Sequence, residues 1–236
     1  ASALKPESPL ILHRLADYYK VWGENDKAIA LFIQLIELNP GLIGVREQLA
    51  DLYLRADMTQ DATRQLEAIL RERPTNERAL FVLGGIKRQL DKLEEAAAHF
   101  ETVLKINPKF ELAYYELAGV RLFQNKPTIT LATLKKAGEQ FKPRFITKFY
   151  AGLAHSALYQ YPKAIENLLD AEKLAQAGEQ NRLTHFFYFQ LGAAYERNRQ
   201  YETADKTFNK AIEMSPEYHN AMNYLGYMWA DINRNL

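Results

Sequence analysis

Thirty-four residues separate Pro40 from Pro74, and another thirty-four separate Pro74 from Pro108. A fixed period of this length marks a chain built from stacked copies of one small unit, which constrains architecture more than any single motif could. With units numbered 1–34 so that these prolines fall at place 32, copies begin at Pro9, Ile43, Glu77, Glu111 and Phe145. Six extra residues, 179–184, then precede copies beginning at His185 and His219. Place 7 holds Leu15, Leu49, Leu83, Leu117, Ala151, Leu191 and Leu225. Place 8 is always small: Ala16, Ala50, Gly84, Ala118, Gly152, Gly192 and Gly226. Place 20 reads Ala28, Ala62, Ala96, Thr130, Ala164 and Ala204, and place 24 reads Phe32, Leu66, Phe100, Leu134, Leu168 and Phe208.

Each copy contains two apolar runs at helical spacing. Leu12, Leu15, Ala16 and Tyr19 mark the first; Ala28, Leu31, Phe32, Leu35 and Ile36 mark the second. Breakers such as Gly23 and Pro127 separate the runs, and Asn39-Pro40 and Asn107-Pro108 end second helices because proline disfavours helix at the residue before it. Small residues at places 8 and 20 let the two helices of a hairpin approach closely. One hairpin cannot bury its own apolar face, so neighbours must stack into a continuous core.

The pattern of leucine, a small residue, tyrosine (Tyr19, Tyr53, Tyr195), alanine, phenylalanine or leucine, and proline resembles the tetratricopeptide repeat (TPR) over about residues 9–232. The family's tryptophan at place 4 is missing; Leu12, Arg46, Leu80, Tyr114, Lys148, Tyr188 and Met222 stand there. The resemblance implies an all-α fold, a right-handed superhelical solenoid of antiparallel helix hairpins. It implies one TPR array over 1–236, with units at about 9–42, 43–76, 77–110, 111–144, 145–178 and 185–218, an insert at 179–184 and a partial unit at 219–236. The insert is expected to lengthen a connection or helix.

Composition narrows the function. Hydrophobic residues make up 47% of the chain, ample for a core, and the formal net charge of +1 argues against a dedicated nucleic-acid binder. The chain has no cysteine, which excludes disulfides and thiolate metal sites. No stretch approaches the length of an uncharged membrane span, so no membrane insertion by this segment is expected. His13, His99, His155, His185 and His219 do not stand at metal-ligand spacing from one another on a helix. Phosphate-loop, dinucleotide and nucleophile-elbow motifs are missing too. No enzymatic activity, cofactor or metal is expected.

In the family this chain resembles, places 2, 5, 9, 12 and 13 face a concave groove. That implies a peptide-binding groove made by Phe81, Gly85, Tyr115, Gly119, Phe123, Ile146, Phe149 and Phe189, with Leu112 and Phe186 beside it. Gly85 and Gly119 are expected to open space next to Phe81 and Tyr115. The plainer reading of these aromatics is that they pack between adjacent helices. A charged groove end is expected from Asp17, Glu47, Asp51, Arg55, Arg78 and Arg88, with Lys20 nearby; its plainer reading is a solvated face. The carboxylate clamp of chaperone-binding members is not matched. The first three units offer His13, Asp17, Gln48, Arg78 and Val82 at its places, and only Arg78 keeps the charge type.

The expected function is therefore a protein–protein interaction scaffold that binds a peptide or helical segment in the groove. Two alternatives stand beside it: the non-catalytic arm of a longer enzyme or envelope complex, and a self-assembly segment that docks, as a homodimer or end to end, through the apolar helix at 219–232. That helix carries Met222, Tyr224, Leu225, Met228 and Trp229 and is too apolar for a solvating cap, so the chain reads as a fragment of a longer protein. The run from Asn223 to Tyr227 resembles late repeats of bacterial envelope-associated TPR proteins, which implies a bacterial, periplasmic or envelope-associated origin.

Overall fold

The computed structural model describes residues 8–231; residues 1–7 and 232–236, including Ile232 at the expected end of the last helix, lie outside it. Among the described residues there are thirteen α-helices, one 3-10 turn and no strand. The chain divides into two compact units, Ala1–Phe110 and Glu111–Leu236.

The first unit holds three helix hairpins: α1 (Pro9–Val21) with α2 (Asn25–Leu38), α3 (Ile43–Arg55) with α4 (Thr59–Glu72), and α5 (Glu77–Gln89) with α6 (Leu93–Ile106). The second unit continues with α7 (Glu111–Phe123) and α8 (Pro127–Gly138), α9 (Phe145–Ala157) and α10 (Tyr161–Gln176), and α11 (His185–Arg197) and α12 (Tyr201–Met214). It ends on α13 (His219–Asp231), against which no second helix lies among the described residues. The extra residues of the sixth copy form a 3-10 turn, Gln180–Arg182, after an α10 that is two residues longer than the other long second helices.

Every hairpin turns in the same way. The residue at place 15 has positive φ in all six: Gly23, Asp57, Asp91, Asn125, Tyr159 and Arg199. The next N–H then donates back to the carbonyl five residues earlier, as Glu24 does to Tyr19 at 2.9 Å and Gln160 to His155 at 2.9 Å. This is the six-to-one bond of a Schellman cap, which needs the left-handed residue before it and satisfies a helix-end carbonyl.

Packing inside a hairpin follows from the small residues. The place-20 residues Ala28, Ala62, Ala96, Thr130, Ala164 and Ala204 are all fully buried. Thr130 is the one polar member, and its hydroxyl donates to the carbonyls of Lys126 (3.2 Å) and Ala118 (3.4 Å). Glycine at place 8 lets the place-24 side chain lie on bare backbone. A Cβ on Gly152 would stand 2.7 Å from Leu168 Cγ, and one on Gly192 would stand 2.8 Å from the Phe208 ring. Between hairpins the first helix buries places 3, 7 and 10. One cluster joins Ala28, Phe32 and Leu35 of the first hairpin to Val45, Leu49 and Leu52 of the second. Another runs from Phe149 and Leu168 through Leu191 and Phe208 to Leu225 and Met228. At about 25 cal/mol per Å² of apolar surface removed from water, these shared faces are the main force holding successive hairpins together.

Candidate protein-interaction surface

The residues expected to face a ligand all sit on first helices, and the packing of the hairpins treats them differently. In the first unit the acidic members are each paired with a neighbouring side chain. Asp17 meets His13 Nδ1 at 3.1 Å and Lys20 Nζ at 2.7 Å, and Lys20 also donates to Gln48 at 2.6 Å. Arg78 reaches across to Asp51, and Asn76 donates to Glu47 at 3.1 Å. Arg55 is exposed and Arg88 is half-buried. His13, Glu47 and Asn76 line an open cleft of about 780 Å³ whose other walls include Leu10, Leu42 and Gly44. The acids there are already matched by neighbouring cations and amides. The surface is thus polar and close to neutral rather than a strong anionic field, and exposed ion pairs of this kind add little energy.

Phe81 is half-buried, its ring 5.6 Å from Phe100 and 5.0 Å from Phe110. Beside it a Cβ on Gly85 would meet nothing within 4 Å.

In the second unit the aromatics at place 5 are packed. Tyr115 and Phe149 are only 6% and 9% exposed. The Tyr115 hydroxyl donates to Glu111 at 2.5 Å, while Arg144 Nε approaches the same carboxylate at 2.9 Å. Burial, and then the bond to Glu111, push the Tyr115 hydroxyl far above the usual phenol range, so it remains a donor. Phe149 stacks on Phe145 at 5.3 Å and lies 5.9 Å from Phe187. Phe189 is half-buried among Phe208, Tyr218 and Tyr224 at 5.2–6.0 Å. Gly119 does not open space as expected. Tyr150 lies over it, and a Cβ there would stand 3.0 Å from the Tyr150 hydroxyl oxygen. The cause is long-range: the tyrosine belongs to the next hairpin and fills the gap that the glycine leaves.

What stands free is a different set. Leu112 is 54% exposed, Phe123 70% and Phe186 44%, with Ile146 half-buried between the hairpins that carry them. Place 2 and place 13, rather than place 5, present apolar surface to solvent. The signal for this was present in the repeat itself: place 5 lies one turn from place 8, which is buried in the first six copies, whereas place 2 lies at the helix start.

No group of three or more potential metal ligands occurs among the described residues, and none of their helices is long and apolar enough to cross a membrane.

Comparison with known proteins agrees with the hairpin architecture. Tetratricopeptide repeat family models match residues 47–109, 10–42 and 187–218, together more than half of the chain. No curated protein matches the sequence. Among solved structures the chain is similar to pilF of Pseudomonas aeruginosa (TM-score 0.72, 16% identity, covering 93% of this chain and 97% of that one). It is also similar to YrrB, described as a TPR protein with an unusual peptide-binding site (TM-score 0.66, 18% identity, 82% and 96% covered). A third is MamA of Desulfovibrio magneticus RS-1 (TM-score 0.65, 22% identity, 75% and 96% covered). At these identities the likeness concerns the fold.

Proposed function

The chain belongs to the tetratricopeptide-repeat family, whose repeats serve as protein-interaction scaffolds, and from that premise we propose that its first-helix face captures a peptide or a helical segment. The observation that carries this reading is the row of exposed apolar side chains in the second unit: Leu112, Phe123 and Phe186, with Ile146 among them. Large exposed apolar groups clustered on one kind of helix face mark interaction surfaces. Tyr115, Phe149 and Phe189 hold that face in place from beneath, and Gly119 seats the Tyr150 ring. In the first unit, Phe81 and the open Gly85 offer a smaller apolar contact. The already paired charges of Asp17, Glu47, Asp51 and Arg78 give that contact a polar, near-neutral border. The description of YrrB as carrying a peptide-binding site supports the same use of this fold.

Selection from a displayed peptide library tests it. Phe123→Ser and Phe186→Ser are expected to abolish enrichment while the helical circular-dichroism signal stays unchanged. Enrichment of the same peptides by both variants would remove this face as the site.

A second reading is self-association through α13. Gly226 occupies place 8, yet a Cβ there would meet nothing within 4 Å, unlike Gly84, Gly152 and Gly192. Tyr227 beside it is 74% exposed and Met222 39%. Mass that rises with concentration, and falls to that of a monomer in Met222→Glu/Tyr227→Glu, is the expected outcome. A monomer throughout would exclude this reading.

A further inference from the structure

The second unit holds a pocket that the repeat does not require. It lies between α8 and α9, has a volume of about 300 Å³, and is floored by Leu131, Leu134, Phe141 and Ala151. Two local departures from the repeat create it. Place 7 is leucine in the other six copies and alanine only at Ala151, so one side chain is missing from the wall. In addition, α8 stops at Gly138, two residues before α12 stops in its own copy, and the chain crosses to α9 through a longer connection that carries Phe141, Lys142 and Pro143. A Cβ on Gly138 would meet nothing within 4 Å, which leaves the mouth open.

The rim is basic. Lys135 and Lys142 line the pocket and are exposed, and no carboxylate of the described residues engages either one. Lys148, a third lining lysine, is already held by Asp170 at 3.0 Å. No lining residue is acidic. An apolar floor of this size accepts one large side chain, and two unpaired ammonium groups at its edge favour negative charge on either side of that side chain.

We propose that this pocket is a binding site for an acidic peptide that inserts one bulky apolar side chain between α8 and α9. It shares Tyr115 with the underside of the first-helix face but none of Leu112, Phe123, Ile146 and Phe186, and it stands whether or not that face binds a ligand. Most of the affinity comes from burying the inserted side chain, because exposed charge pairs contribute little on their own. The lysines supply selectivity and a dependence on salt.

The test uses fluorescein-labelled seven-residue peptides with leucine, phenylalanine or tryptophan at the centre and glutamates on both sides, measured by fluorescence anisotropy. Saturable binding by at least one is expected, with a loss of about tenfold to a hundredfold when the central residue is alanine. Ala151→Leu restores the residue that every other copy carries at this place, so it keeps the fold and fills the pocket; binding should disappear. Lys135→Glu/Lys142→Glu should weaken glutamate-flanked peptides and favour lysine-flanked ones. Phe123→Ser, which disables the first-helix face, should leave this binding unchanged. Equal binding by Ala151→Leu with an unaltered melting curve would overturn the proposal, as would no saturable binding by any of the three peptides. Saturable binding of dodecanoate without peptide binding would also overturn it and assign the pocket to a lipid instead.

Discussion

A Cβ built on Gly84 would stand 2.7 Å from Cε1 and 2.9 Å from Cζ of Phe100, a ring with no solvent exposure. One residue further along the same helix, a Cβ on Gly85 would meet nothing within 4 Å. Adjacent glycines in α5 therefore carry opposite predictions. Gly84→Ala gains up to about 1 kcal/mol of helix propensity but must displace a ring locked in the core, at about 1–3 kcal/mol. Its net effect is destabilising. Gly85→Ala takes the propensity gain alone, about 0.5–1 kcal/mol. Urea unfolding of the two variants against the parent should move the midpoint in opposite directions. Equal shifts would mean that Phe100 does not rest on Gly84.

The hairpin turns make a second contrast. Tyr159 has φ of +60° and is 80% exposed, so its left-handed backbone receives little return from packing beyond an edge contact with Tyr161 at 6.3 Å. Left-handed geometry costs a residue with a Cβ roughly 1–2 kcal/mol, and glycine avoids that cost. Tyr159→Gly should raise stability by about 0.5–1 kcal/mol, and Gly23→Ala, at the same place of the first hairpin (φ +76°), should lower it by about 1 kcal/mol. Thermal melts monitored by circular dichroism would show the two shifts with opposite sign. A stabilised Gly23→Ala variant would contradict the shared turn geometry.

How far the sequence could be read depended on the range of each interaction. The approach of Gly152 to Leu168 was legible, because both ends of the contact recur at the same places in copy after copy. The left-handed turn at place 15 was less so: Gly23 and Asn125 advertise it, but Tyr159 and Arg199 do not. Facing is set by neighbours outside the repeat pattern. The resemblance turns the place-5 aromatics toward a groove, yet Tyr115 and Phe149 are buried, because Glu111, Phe145 and Phe187 close over them and none of these stands at place 5. Tyr150 over Gly119 was hidden for the same reason. The pocket at Ala151 was visible as a missing leucine, but its openness depends on where α8 stops, and no repeat position encodes that.

Asn76 joins two helices through one amide. Its side-chain oxygen accepts from the N–H of Ala79 at 2.8 Å, capping α5, and its nitrogen donates to Glu47 of α3 at 3.1 Å. Asn76→Ala should lower stability by about 1 kcal/mol through loss of the cap. Asn76→Ser should recover most of that loss, since serine caps equally well and the bond to Glu47 is partly exposed. Asn76→Asp keeps the cap but sets a carboxylate against Glu47, so it should fall below Asn76→Ser at neutral pH and approach it in 1 M salt. Chemical unfolding of the three variants at low and high salt distinguishes these terms. Equal stability of the serine and alanine variants would show that the cap contributes nothing.

His99 sets a pH dependence for the first unit. Burial on α6, and then the positive charge of Lys87, hold its imidazole below the ordinary value of 6.5, although Glu95 acts in the opposite direction. Lys87 and Glu95 meet each other at 2.6 Å, and Glu67 and Arg71 of α4 line the cleft beside the ring. The unfolded chain therefore takes up a proton on His99 at a higher pH than the folded chain does. The stabilising contribution is fully present above about pH 6.5, shrinks as pH falls below it, and is lost once pH passes through the depressed folded value. His99→Gln cannot take up this proton. The difference in stability between parent and variant should therefore be constant from pH 7 to 8 and narrow steadily toward pH 5, as followed by urea midpoints at half-unit intervals. Parallel curves across that range would show that the folded chain leaves the His99 imidazole as free to protonate as the unfolded one does.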